Sequence, residues 1–307
     1  RASSAFELAA LPPDGPLLTL DHSWAQMLPV RAGHMPAVSF ALDVSEPTAL
    51  RVELRASNRP ENFTPDVTLE ACAFELSPGA GQRITARFDT AIDAARYVFV
   101  CLMKNPAVAV RTSEQRVTGL LSVSNVQNPA VSNFGVQEPT EDIGVETFEF
   151  WTPVRRPKGQ NLAVTVEPPL RLFEPANAVN GWARPTTGPN AWVAAPGDPT
   201  PTLFLDWDHP QTIRRIDLGF DTDFDHPMES VLMGHPERVM PFCVRRYRIL
   251  DERGRVVGAC DDNHQTRNSL VLNEPLVTSS LRIEALETHG QAPAALFEVR
   301  CYEWEDG

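Results

Sequence analysis

The stretch Ala49–Ala56 sets Leu50, Val52 and Leu54 against Arg51, Glu53 and Arg55. Apolar and charged residues alternate with a period of two, the spacing of a β-strand with one buried and one wet face. Strand-like runs recur at Ala37–Val44, Asp66–Leu76, Gln82–Phe88, Arg96–Met103 and Val117–Val126, with turn residues between them. Arg96–Met103 is continuously apolar from Tyr97 and reads as a central strand. Ser77–Gly81 reads as a hairpin-type turn. No stretch keeps helical spacing beyond about two turns, and Thr90–Arg96 fits one helical turn or a loop. Prolines number 28 against 17 glycines, which suits many short strands joined by loops. The fold class expected is all-β, with two tandem antiparallel β-sandwich domains of jelly-roll-like kind.

A chain of 307 residues has room for two domains, each large enough to bury its own core. Residues 1–20 read mostly as loop. Between the halves lies Val126–Ile143, rich in Asn, Pro, Gly and Gln. A short strand at Val145–Thr152, the basic segment Pro153–Gly159 and a last strand at Leu162–Val166 follow it. Trp151 with Arg155 and Arg156 suits an interface or a solvated basic loop. The boundary is expected near Glu167-Pro168-Pro169, giving domains 1–166 and 167–307. In the second half, strands are expected at Thr202–Trp207, Thr212–Phe220, Val244–Leu250, Arg255–Cys260, Asn268–Leu272, Ser280–Ala285 and Ala294–Trp304. Asp251–Gly254 is expected to be the turn of a hairpin.

Several function classes are disfavoured. A formal charge of −13 repels phosphate backbones and anionic lipid, so neither nucleic acid nor membrane is expected as a partner. No apolar run is long enough for a transmembrane helix. The opening residues lack the pattern of a signal peptide, and a cytoplasmic, reducing compartment is expected. The cysteines Cys72, Cys101, Cys243, Cys260 and Cys301 form no CxxC pair, which argues for buried thiols rather than a disulfide framework or zinc knuckle. Gly79-Ala80-Gly81 lacks the rest of a dinucleotide fingerprint. Asp221–His226 places carboxylates at alternate positions, but His226 and Leu232 stand where an EF-hand needs Gly and Glu. The histidines have no zinc spacing and no GxSxG occurs. Nothing marks a nucleophile, acid or base.

The densest set of polar and aromatic residues is Asn177–Trp192. Trp182, Arg184, Asn190 and Trp192 suit a carbohydrate, whose C–H faces stack on aromatic rings while Arg and Asn bond its hydroxyls. Trp192 fits a core position as well. Asn263, His264 and Arg267 line the same end if the sandwich brings the two loops together.

The order Ala178-Val179-Asn180-Gly181, Trp192, Asp206-Trp207 and Ile213…Ile216 resembles the opening of a galactose-binding-like (discoidin, F5/8 type C) domain. Ser280–Ile283 followed by Ala295–Tyr302 resembles its close. The resemblance implies a structural calcium held by Asn177, Asn180, nearby carbonyls and Glu298. The family usually has Asp at the position of Asn180, so this site carries less negative charge. Phe148–Pro153, Asn180–Pro185, Phe220–Asp223 and Glu298–Tyr302 look like the C-terminal region of bacterial FAD-dependent oxidoreductases, whose Rossmann-type flavin domain is not in this sequence. That resemblance implies a non-catalytic accessory region, binding a carbohydrate or packing on a flavin-binding domain or subunit. The alternative is a self-contained carbohydrate-active hydrolase or lyase with a cleft between the sandwiches.

Overall fold

The computed structural model describes residues 1–58, 64–125, 151–153, 161–222 and 240–303. Almost all regular structure in them is strand. The strands of the first half are β1 (Leu8–Leu11), β2 (Leu17–Leu20), β3 (Trp24–Val30), β4 (Gly33–His34), β5 (Ala37–Val44), β6 (Thr48–Ala56), β7 (Val67–Leu76), β8 (Gly79–Ala86), β9 (Ala91–Ile92), β10 (Arg96–Leu102), β11 (Asn105–Ser113), β12 (Ser122–Asn125), β13 (Trp151–Pro153), β14 (Asn161–Leu162) and β15 (Val164–Leu170). Those of the second half are β16 (Trp192–Val193), β17 (Thr202–Gly219), β18 (Val244–Asp251), β19 (Val256–Cys260), β20 (Arg267–Thr288), β21 (Ala295–Leu296) and β22 (Glu298–Tyr302). Among the described residues a 3₁₀ turn covers Pro175–Val179.

Two compact units result. One contains Ala10–Glu114 and Leu121–Glu167. The other contains Arg1–Ala9, Gln115–Leu120 and Pro168–Gly307. They are called the N-terminal and C-terminal units below.

The N-terminal unit is a sandwich of two antiparallel sheets. One runs β1-β15-β5-β11-β14, with β2 also on β11 and β8 also on β5. The other runs β13-β12-β3-β10-β6-β7. Val38, Phe40 and Leu42 of the first sheet and Val52, Leu54, Val98 and Val100 of the second are fully buried or nearly so. Side chains two residues apart share a face, so these runs supply the core. As expected, Arg96–Leu102 is central, between β3 and β6.

Several expectations need correction. Leu8–Leu11 and Leu17–Leu20 are strands rather than loop. Ser77-Pro78 is no hairpin turn: β7 pairs with β6 and β8 with β5, so the chain crosses there from one sheet to the other. Of the two readings of Thr90–Arg96 the loop is the one found, with the two-residue strand Ala91–Ile92 in it. Val117–Leu121 precedes β12 as a turn rather than opening a strand. Val126–Phe150, Val154–Gln160, and with them Arg155 and Arg156, lie outside the described residues.

The wet face expected for β6 is covered in part, with Arg51 exposed as expected. Glu53 and Arg55 are buried. Glu53 accepts from Arg51 at 2.5 Å, Arg55 at 2.6 Å and Thr68 at 3.2 Å. Alternation alone cannot tell a solvated charged face from one neutralised internally. Burial opposes ionisation of Glu53, but the hydrogen bonds and charges of Arg51 and Arg55 outweigh it and leave the carboxyl below the usual glutamate range. A depressed pKa contributes stability above the unfolded value and loses it as pH falls through the folded one. Removing the charge takes the carboxylate away from two guanidinium groups, one of them buried. Glu53→Gln is therefore expected to cost about 3–5 kcal/mol, and urea titrations at neutral pH and below the carboxylate range should show the difference from wild type shrinking in acid.

The C-terminal unit is built on a five-stranded antiparallel sheet, β19-β18-β20-β17-β22, with the short pair β16-β21 beside it. The expected strands Thr202–Trp207 and Thr212–Phe220 are one strand, β17, irregular between Asp206 and Gln211. Asn268–Leu272 and Ser280–Ala285 likewise join as β20. The β18–β19 hairpin forms as expected. Asp251 ties its turn, accepting from the backbone N–H of Arg253 and of Arg255, both at 2.9 Å. Gly254 takes φ +75 there, where an L side chain would be strained.

The core gathers Trp192, Leu203, Ile213, Ile216, Leu218, Phe220, Val244, Ile249, Leu281, Ile283 and Leu296. The first residues of the chain belong to this unit. Ala2 bridges Leu203, Phe6 donates its N–H to the Val193 carbonyl, and the Phe6 ring meets Phe173 edge-on at 5.1 Å. Thr118 also belongs to it, donating to the buried Asp221 carboxylate at 3.0 Å.

Cys101 and Cys243 are buried and the other three cysteines half-buried, all as free thiols. Burial first, then the charge of Asp221 and Cys260, pushes Cys243 up to about 12. Burial and Asp217 do the same to Cys301. Thiolate is the reactive form. A disulfide-exchange reagent at neutral pH is therefore expected to leave Cys101, Cys243 and Cys301 unmodified in the folded chain, and to titrate all five only in denaturant.

Candidate functional site

The 3₁₀ turn starts on Pro175, whose missing N–H costs nothing at a first position. It buries Ala178 in the core and ends at Asn180, which donates its N–H to the Asn177 carbonyl at 3.3 Å. Gly181 follows at φ +89, reversing the chain. The loop that results is held by carboxamides. Asn180 Oδ1 accepts the Trp182 N–H at 2.9 Å. Asn190, itself at φ +51, donates to the Arg184 carbonyl at 3.1 Å and to Thr186 Oγ1 at 2.7 Å, and its Oδ1 lies 3.4 Å from Asn180 Nδ2. Pro185 and Pro189 are buried. Trp182 stands out of this framework, 53% exposed. Val179, 60% exposed, lies three residues before it, and the Arg184 side chain is exposed too.

Trp192 is a correction. It is fully buried, pairs with Leu296 across β16-β21 and donates its indole N–H to the Ser4 carbonyl at 2.8 Å. Both ring faces are packed, so it is the floor of the loop and not a surface for a ligand. Asn263 is a second correction. It is buried, and its side chain donates to the Val244 carbonyl at 2.8 Å and accepts the Gln265 N–H. His289 meets its carbonyl at 2.6 Å. Asn263 thus shapes the loop on which His264 is exposed, with its Nδ1 3.2 Å from the Asp262 carbonyl.

Arg267 lies 3.7 Å from Glu298, on β22, the strand that the 3₁₀ turn packs against. Glu298 is buried, and Arg300 also pairs with it. Arg300 was not among the expected residues. Its signal is the spacing Glu298-Val299-Arg300, which puts carboxylate and guanidinium on one strand face.

The donor set does not fit the calcium that the family resemblance implies. Calcium takes six to eight oxygens. Asn177 instead presents its Nδ2 to the carbonyls of Leu172 and Ala191, at 2.7 and 2.9 Å. Asn180 Oδ1 is occupied by a backbone N–H. The one carboxylate, Glu298, is paired with two arginines. Among the described residues no group of three His, Cys, Asp or Glu is placed to hold a metal. Asp223–His226 lie outside them.

No protein-family model matches the chain, and no curated protein does. Among solved structures it is similar to chitosan-binding module 1 of a chitosanase/glucanase from Paenibacillus sp. IK-5, at 14% identity and TM-score 0.33, over 43% of this chain and 87% of that one. It is similar to the family 32 carbohydrate-binding module of Streptococcus pneumoniae EndoD, at 11% identity and TM-score 0.33, over 44% and 88%. A third is the family 32 module of C. perfringens NanJ, solved with galactose, at 15% identity and TM-score 0.32, over 44% and 88%.

Proposed function

We propose that the C-terminal unit is a non-catalytic module that binds a carbohydrate against Trp182. The observation that carries this is an indole 53% exposed on a loop whose backbone is fixed from within by Asn180 and Asn190. An exposed aromatic on a preformed loop offers a stacking face with little ordering left to do on binding. Val179 extends the apolar surface, and Arg184 supplies paired donors for vicinal hydroxyls.

The lack of catalysis is part of the same reading. In this unit the buried carboxylates of Asp251 and Glu298 are tied to arginines, and the thiols of Cys243 and Cys301, raised to about 12, are not nucleophiles at neutral pH. Acid–base work needs a carboxyl free to exchange its proton. Native affinity electrophoresis in gels containing soluble polysaccharides, with a reducing-end assay on the same samples, tests the reading. Retardation in at least one gel without new reducing ends is expected. Release of reducing ends by the purified chain would contradict it and favour a hydrolase.

The accessory context we assign, the C-terminal region of a flavin-dependent oxidoreductase, rests on the sequence motifs alone. An in-frame flavin-binding domain encoded upstream of Arg1 is the expected finding.

A further inference from the structure

We infer that the Asn177 carboxamide does, in this chain, what a divalent cation would do at the same place, and that the C-terminal unit keeps its first loop without metal. A cation in such a loop has two effects: it draws together backbone carbonyls that are distant in sequence, and it neutralises a buried carboxylate. Both effects have other sources here. The two protons of Asn177 Nδ2 are donated to the carbonyls of Leu172, before the 3₁₀ turn, and Ala191, after the loop. Carbonyl oxygens only accept, so the amide must turn its nitrogen, not its oxygen, toward them. The Glu298 carboxylate is neutralised by Arg300 and Arg267.

The assignment makes Asn177 the residue that separates a metal-free loop from a metal-dependent one. Asn177→Asp replaces the bridging donor with an oxygen facing two carbonyls. That arrangement is unfavourable alone and suited to calcium. Thermal unfolding of the full chain, followed by circular dichroism in EDTA or in millimolar CaCl₂, tests this. The wild-type midpoint is expected to be the same in both. Asn177→Asp should lower it by roughly 4–8 °C in EDTA and regain part of the loss in CaCl₂. A wild-type midpoint that rises in CaCl₂, with the rise abolished by Glu298→Gln, would overturn the inference. So would Asn177→Ala melting at the wild-type temperature in EDTA.

Discussion

Trp192→Ala is expected to cost the C-terminal unit about 3–5 kcal/mol. This is a large part of the roughly 5–15 kcal/mol by which a domain is held folded. The indole has no exposed surface, sits between the 3₁₀ turn and the sheet, and fastens the first residues of the chain through the Ser4 carbonyl. Alanine would leave a cavity in the core, and the Ser4 carbonyl would lose the indole donor. Trp192→Phe keeps much of the ring but not the N–H, so the loss should fall to about 1–3 kcal/mol. Urea unfolding of the two variants gives the comparison. A Trp192→Ala protein with an unchanged midpoint and weakened carbohydrate binding would return Trp192 to the ligand surface.

Trp182→Ala should behave in the opposite way. Its ring is half in solvent, and the hydrogen bond at that residue is made by the backbone N–H to Asn180. Alanine keeps that bond. Stability should stay within about 0.5 kcal/mol of wild type. Binding should weaken about tenfold or more, since a stacking residue at the centre of a site contributes on the order of 2 kcal/mol. The two tryptophans lie ten positions apart in one stretch, yet one variant reads out in unfolding and the other in binding.

That contrast also shows what the sequence could and could not yield. Strands were legible where burial on one face imposes alternation, as at Leu50, Val52 and Leu54. They were missed at Leu8–Leu11, where the run is four residues long, and the strand expected to open at Val117 is a buried turn up to Leu121, with β12 starting only at Ser122. The sequence pattern divides each of the long strands β17 and β20 in two, because their irregular registers interrupt it. Ser77-Pro78 has turn chemistry, but whether a turn joins neighbours in one sheet or crosses between sheets depends on partners far away in sequence.

The candidate site was legible as a stretch but not residue by residue. Trp182 and Trp192 are chemically the same, and only packing separates them. Asn177, Asn180 and Asn190 could have been ligands. Their hydrogen bonds instead make them the framework of the loop. Glu298 was expected to hold a cation, and its neutralisation by Arg300 and Arg267 depends on which residues flank it in three dimensions.

The most direct measurement is a glycan array probed with the wild-type chain and with Trp182→Ala, both first shown to unfold at the same urea concentration. A defined set of glycans bound by wild type and lost by the variant is the predicted result. Equal binding of the same glycans by both proteins, or no binding by wild type to any glycan, would contradict it.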